Sequence, residues 1–148
     1  MNKRIILLTL STLMAYASAF AGYPDSVYVK PDVADGTRGF QIAYSTDRLT
    51  WHHIDCNLFE SDYGTWGAEK KLYYPVLRYD GKVYHATFVP NPKVAQIAVT
   101  KSTDFALWKP QDYPRVNEAD FEALLAKQKK ASRDNIIRIP YAALDALL

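Results

Sequence analysis

The sequence predicts a mainly β protein: a partial β-propeller of about two blades of antiparallel strands, followed by a C-terminal helix. Three observations carry that prediction. The heptapeptide Ser45-Thr46-Asp47-Arg48-Leu49-Thr50-Trp51 returns 57 residues later as Ser102-Thr103-Asp104-Phe105-Ala106-Leu107-Trp108. Each copy follows an apolar run that opens with the same three residues, Gln41-Ile42-Ala43 and Gln96-Ile97-Ala98. Asp80-Gly81 separates two alternating runs, a strong short-range hairpin signal. A strand and turn repeated at a period of roughly 50 residues marks a repeat architecture, and a propeller blade is the repeat built from short antiparallel strands.

In chain order, Ser26 to Lys30 reads as a first strand, and Pro31, Asp35-Gly36 and Gly39 mark the loop after it. Phe40 to Ser45 is a strand, Asp47 to Thr50 a turn, and Trp51 to Asp55 the returning strand. Residues 56–72 form a longer loop with Gly64 and Gly67. Pro75 to Tyr79 and Lys82 to Val89 flank the Asp-Gly hairpin, and Pro90-Asn91-Pro92 breaks the chain. Ala95 to Thr100 is a strand, and Trp108 opens a fourth strand over 108–111. Asn117 is a suitable helix N-cap with Asp120 at the third helical position. Phe121, Leu124 and Leu125 follow at helical spacing, and Lys127, Lys129 and Lys130 occupy the last turns, where the helix dipole favours cations. Ile136 to Ile139 is a short apolar segment ending at Pro140. Residues 141–148 read as the start of another helix, and the apolar ending Leu147-Leu148 suggests the front of a longer protein. The predicted organisation is a leader over 1–21, blades over 22–116, and a helical linker or the start of a downstream domain over 117–148.

The leader assignment rests on Lys3 and Arg4, the 13-residue apolar stretch Ile5 to Ala17, and the small residues of Ala19-Phe20-Ala21. A stretch that short does not comfortably span a bilayer. The expectation is a secreted or periplasmic protein cleaved near Ala21, with no membrane attachment afterwards. Removing Lys3 and Arg4 from 18 basic residues leaves 16, against 16 acidic ones. A chain of zero net charge offers no electrostatic reason to expect nucleic acid or an anionic membrane as partner, and polar uncharged ligands fit it better. The single cysteine, Cys56, makes no internal disulfide, and its strand-like neighbours predict burial.

The repeated turn has a physical logic. A short polar side chain at a strand end accepts hydrogen bonds from amides two or three residues on and fixes the turn without another partner. The tryptophan four residues after the repeat's aspartate offers a broad apolar face for packing between sheets. Asp47, Trp51, Asp104 and Trp108 are therefore expected to be structural. About two units fit in this chain, whereas at least three stacked repeats are normally needed to bury a continuous core.

Over residues 26–116 the pattern strand–Ser-x-Asp-x-x-x-Trp, with an Asp-Gly hairpin upstream, resembles the five-bladed propellers of family 43-type glycoside hydrolases. It is one residue shorter than the sialidase Asp-box and lacks that motif's glycine. The resemblance implies a carbohydrate-active lineage acting on arabinose- or xylose-containing polysaccharides. In that family carboxylates project into a central funnel, one as base and one as acid, and their separation sets the stereochemical outcome. The innermost strand of the second blade usually opens with Asp-Pro, and Tyr74-Pro75 stands there in this sequence. Pro31-Asp32 has the reverse order. The resemblance therefore implies a non-catalytic fragment or accessory region, with a downstream catalytic domain as a possible partner and no catalytic residue named here.

Tyr63, Trp66, Tyr73 and Tyr74 cluster around the long loop. Aromatic faces pack on sugar rings, and Glu69 nearby could bond hydroxyls. These five residues are the candidate carbohydrate site, with an oligosaccharide or polysaccharide as partner. A stand-alone binding module and a purely structural pair of blades are the rival expectations. His52 and His53 are adjacent on a strand, so their side chains face opposite ways and cannot chelate one metal. With His85 isolated, no zinc-site spacing exists. The absence of a glycine-rich phosphate loop and of Gly-x-Ser-x-Gly removes the nucleotide and serine-hydrolase readings. No cofactor or metal is expected.

Overall fold

The computed structural model describes residues 24–148. The predicted leader over 1–21 lies outside the described residues. The chain is mainly β, with two antiparallel sheets and one long helix. Strands β1 (Ser26–Pro31), β2 (Ile42–Ser45) and β3 (His52–Ile54) follow one another in the first sheet. Strands β4 (Tyr73–Tyr79), β5 (Tyr84–Val89) and β6 (Ala98–Ser102) make the second. Helix α1 (Glu118–Arg133) leads to β7 (Ile137–Pro140) and a short helix α2 (Tyr141–Asp145).

The sheet orders are β3-β2-β1-β7 and β4-β5-β6. Residues 117–148 therefore do not lead away from the sheets: β7 pairs antiparallel with β1, with Ile139 opposite Val27 and Ile137 opposite Val29. The fourth strand expected over 108–111 is reduced to a looser track along β6. Lys109 donates its N–H to the Lys101 carbonyl at 2.9 Å, and Val99 and Asp112 exchange bonds of 2.9 and 2.8 Å. Pro110 and Pro114 explain the shortfall, because neither has an N–H to give to a ladder.

Alternation sets the faces. Val27 and Val29 on β1, Ile42 on β2, Tyr84, Ala86 and Phe88 on β5 and Ala98 on β6 are buried in one core shared by both sheets. The second copy is two residues longer between Gln96 and Ser102 than the first between Gln41 and Ser45. Both serines end their strands buried, but on opposite faces: Ser102 lies opposite the core residue Tyr84, and Ser45 opposite Tyr28 on the other side of its sheet. Cys56 is half-buried and packs against the core.

The repeated turns share one geometry. Ser45 Oγ accepts from the N–H groups of Asp47 (3.2 Å) and Arg48 (2.8 Å), and Asp47 Oδ1 accepts from Leu49 (2.8 Å) and Thr50 (2.9 Å). Ser102 Oγ accepts from Asp104 (3.3 Å) and Phe105 (2.9 Å), and Asp104 Oδ1 accepts from Ala106 (2.9 Å) and Leu107 (2.8 Å). Arg48 and Phe105, at the same repeat position, both adopt positive φ, 65° and 69°. The copies diverge in what that position does: Phe105 is fully buried while Arg48 is exposed. The tryptophans diverge too. Trp108 packs on Phe59 and Phe105 and donates Nε1–H to the Phe105 carbonyl at 3.1 Å. Trp51 instead receives the Lys30 ammonium 4.4 Å from its ring centre.

The hairpin aspartate follows the same principle. Asp80 Oδ1 accepts from Lys82 and Val83 at 2.9 and 2.8 Å, and Gly81 takes the φ of 97° that the turn requires. The Val83 and Lys82 amides, then the His85 side chain, hold the Asp80 carboxyl down to about 2. Amides of Thr50 and Leu49, and of Leu107 and Ala106, likewise lower Asp47 and Asp104. Their folded pKa values lie below the unfolded value near 4. Their contribution is thus complete above that value and is lost as pH falls from about 4 toward 2. The urea midpoint is expected to fall between pH 6 and pH 3. Replacing all three aspartates by asparagine, which keeps the accepting oxygen, should flatten that dependence. Equal slopes for parent and triple variant would contradict this account.

Asn117 Oδ1 caps α1 through the Ala119 N–H at 2.9 Å. Of the expected apolar stripe only Phe121 is buried, and Leu124 and Leu125 are half-buried. Polar anchors complete the docking. Gln128 Nε2 donates to the Tyr74 carbonyl (2.9 Å) and to Thr87 Oγ1 (3.1 Å). Asn135 Oδ1 accepts from the Leu77 N–H at 2.5 Å, and its Nδ2 donates to the Leu77 carbonyl at 2.9 Å. That amide supplies β4, the edge of its sheet, with the pair of bonds a neighbouring strand would make.

Candidate functional site

The long loop is held before it reaches the site. Phe40 exchanges backbone bonds with Leu58 and Phe59, each 2.9 Å, which extends the first sheet into the loop. Asp62 donates its N–H to Gln111 Oε1 at 2.9 Å, and Gln111 Nε2 donates to the Glu60 carbonyl at 2.9 Å. The Tyr113 hydroxyl donates to Asp62 Oδ1. Burial, then this bond to a carboxylate, pushes the Tyr113 phenol well above its ordinary value. Tyr63 then lies edge-on to Tyr113, ring centres 5.4 Å apart.

Beyond Tyr63 the chain turns on itself. Gly64 has φ 83°, and a Cβ there would lie 2.7 Å from the Glu69 side chain, so any larger residue would be strained and would displace Glu69. Glu69 Oε1 accepts the N–H groups of Thr65 (2.8 Å) and Trp66 (2.9 Å). Those amides, Trp66 first, hold the Glu69 carboxyl below its ordinary range. A short 3₁₀ turn over Gly67–Glu69 leads into β4.

The result is a cleft of about 530 Å³ lined by Tyr63, Ala68, Glu69, Lys71 and Tyr73 on one side and by Pro90 to Val94 on the other. That volume lies within the range of small-molecule sites. Of the five residues expected to form a carbohydrate site, Tyr63, Glu69 and Tyr73 line it. Trp66 stands 70% exposed outside it. Tyr74 is separated by a β-bulge, since β4 carries one extra residue between Tyr73, paired with Val89, and Val76, paired with Thr87. Pro75 cannot donate to the ladder, and Tyr74 takes φ 54°, so its ring meets the Lys129 ammonium of α1 at 5.4 Å. The far wall is contributed by a turn in which Asn91 Oδ1 accepts from the Lys93 N–H at 2.9 Å and the Asn91 carbonyl accepts from Val94 at 3.1 Å. The Pro90-Asn91-Pro92 break was the available signal for that turn. Nothing local joined it to Tyr63.

A second cleft, about 500 Å³, is lined by Asp32, Val33, Ala34, Thr37, Arg38, Gly39, Gln41, Asn57 and Glu60. Its two carboxylates are engaged: Asp32 Oδ2 lies 2.7 Å from His53 Nδ1, and Glu60 Oε1 lies 3.1 Å from Arg38 Nε. Among the described residues no group of three or more His, Cys, Asp or Glu side chains could hold a metal ion. No described helix is long and apolar enough to cross a membrane.

No protein-family model, no curated protein and no solved structure matches the chain.

Proposed function

We propose that this chain is an exported carbohydrate-binding protein whose cleft between Tyr63, Glu69, Tyr73 and the Pro90–Val94 turn takes a neutral oligosaccharide of arabinose or xylose type. The observation that carries the proposal is that three of the five residues singled out for sugar chemistry line one concave site with two tyrosines in it. Tyrosine rings offer apolar faces to the C–H faces of a sugar, and Asn91, Lys71 and the free carboxylate oxygen of Glu69 offer bonds to its hydroxyls.

Binding without cleavage is favoured by the chemistry of the carboxylates. A glycosidic acid needs a raised pKa, whereas Glu69 is held low by two backbone amides. Tyr74-Pro75 replaces the acidic dipeptide of the hydrolases this chain resembles. We place it with the five-bladed propeller hydrolases as a non-catalytic relative, its two sheets with matching Ser-x-Asp turns corresponding to blades. The test is calorimetric titration of the full chain with xylo- and arabino-oligosaccharides. Tyr63→Ala and Tyr73→Ala should each weaken binding about five- to tenfold, the value of an aromatic contact, while Trp66→Ala leaves it unchanged. Equal binding by all variants, or release of reducing sugar by the parent, would overturn the proposal.

A further inference from the structure

The outward face of the four-stranded sheet concentrates cations that the zero net charge of residues 22–148 conceals. Residues directly opposite in an antiparallel ladder share a face. Tyr28 is opposite Ser45 on β2 and Arg138 on β7, and Lys30 is opposite Ala43. Val27, Val29 and Ile139 are buried on the inner side, so Tyr28, Lys30 and Arg138 face outward. The Arg48 and Arg138 guanidinium carbons lie over the same Tyr28 ring, 5.4 and 5.9 Å from its centre. Lys30 Nζ lies 4.4 Å from the centre of Trp51. Among the described residues none of these three cations is in an ion pair. Of the acids near this face, Asp32 Oδ2 lies 2.7 Å from His53 Nδ1 and Asp47 accepts from its own turn.

We propose that this face binds an acidic polysaccharide, a glycan whose uronate carboxylates are taken by Lys30, Arg48 and Arg138. The rings restrain the cations against the sheet, which lowers the ordering cost of meeting an anion. A guanidinium presents a planar fork that matches a carboxylate's two oxygens. Nucleic acid suits the face less well, because the Tyr28 and Trp51 rings on it are engaged by cations rather than presented for bases to stack on. The face shares no residue with the cleft, so the two proposals stand or fall separately.

The test uses the full chain and polygalacturonate as probe, with neutral xylan beside it. The parent should bind polygalacturonate, more weakly as salt rises. The triple variant Lys30→Gln, Arg48→Gln, Arg138→Gln should lose at least about tenfold in affinity, the low end for charge-assisted bonds. A control triple on the other sheet, Arg78→Gln, Lys101→Gln, Lys109→Gln, removes the same charge and should stay within about twofold of the parent. If the first triple does not fold, Arg48→Gln alone, on an exposed turn, should still weaken binding about threefold. No binding by the parent, equal losses in both triples, or single-stranded DNA bound as tightly as polygalacturonate would each overturn the assignment. Xylan binding unchanged in the first triple leaves the cleft proposal intact.

Discussion

Replacing Phe105 with alanine is expected to destabilise the fold by about 3–5 kcal/mol, the usual cost of deleting a buried phenylalanine. The side chain is fully buried, packed on Tyr84 and Trp108 with ring centres 4.9 and 5.8 Å away. Glycine at the same position should be less damaging than alanine by roughly 0.5–1 kcal/mol, the reverse of the ordinary order. Phe105 has φ 69°, which glycine adopts freely and alanine does not. Urea denaturation of the two variants reads this directly. A glycine variant less stable than the alanine variant would show that the chain leaves the left-handed region once the ring is gone. At Arg48 the same backbone carries an exposed side chain over the Tyr28 ring, so relief of the positive φ and loss of that exposed contact offset one another: Arg48→Gly is expected to be neutral or slightly stabilising.

Asn135→Ala should cost about 2–4 kcal/mol, because it strips both the N–H and the carbonyl of buried Leu77 of their partners. For a chain of this size that lowers the melting temperature by roughly 10 °C. Asn135→Asp keeps the acceptor for the Leu77 N–H and removes the donor, placing a carboxylate oxygen against the Leu77 carbonyl. It should be destabilising at neutral pH and partly recover as pH falls and the carboxyl regains a proton to donate. A melting temperature unchanged by Asn135→Ala would mean that water serves the β4 edge equally well.

The features legible in the sequence were those decided within a few residues. The Asp80-Gly81 hairpin, the two Ser-x-Asp turns and the Asn117 cap each satisfy backbone amides from a side chain two or three positions away, and each has the expected form. What could not be read depended on distant partners. Nothing near Ile137 announces a strand whose partner is Val29. Asn135 reads as an ordinary post-helical polar residue until β4 is known to be an edge. The same limit shaped the candidate site. Tyr63, Glu69 and Tyr73 are close in sequence and reach one cleft, but its other wall comes from Pro90 to Val94. Tyr74 does not line it, and the local reason was visible: the missing N–H of Pro75 favours a bulge that turns the Tyr74 ring toward α1. Trp66 is exposed outside that cleft, a placement that its position in a loop does not announce. The two repeat tryptophans taught the same lesson: identical spacing placed Trp108 against Phe59 and Phe105, and Trp51 under Lys30.

The most direct measurement of the central claim is an amide NMR titration of the full chain with arabino- and xylo-oligosaccharides. The account predicts shifts confined to Tyr63, the Ala68–Tyr73 segment and Asn91 to Val94, the two walls of one cleft. Shifts that cluster elsewhere, or a spectrum unmoved at millimolar oligosaccharide, would contradict it.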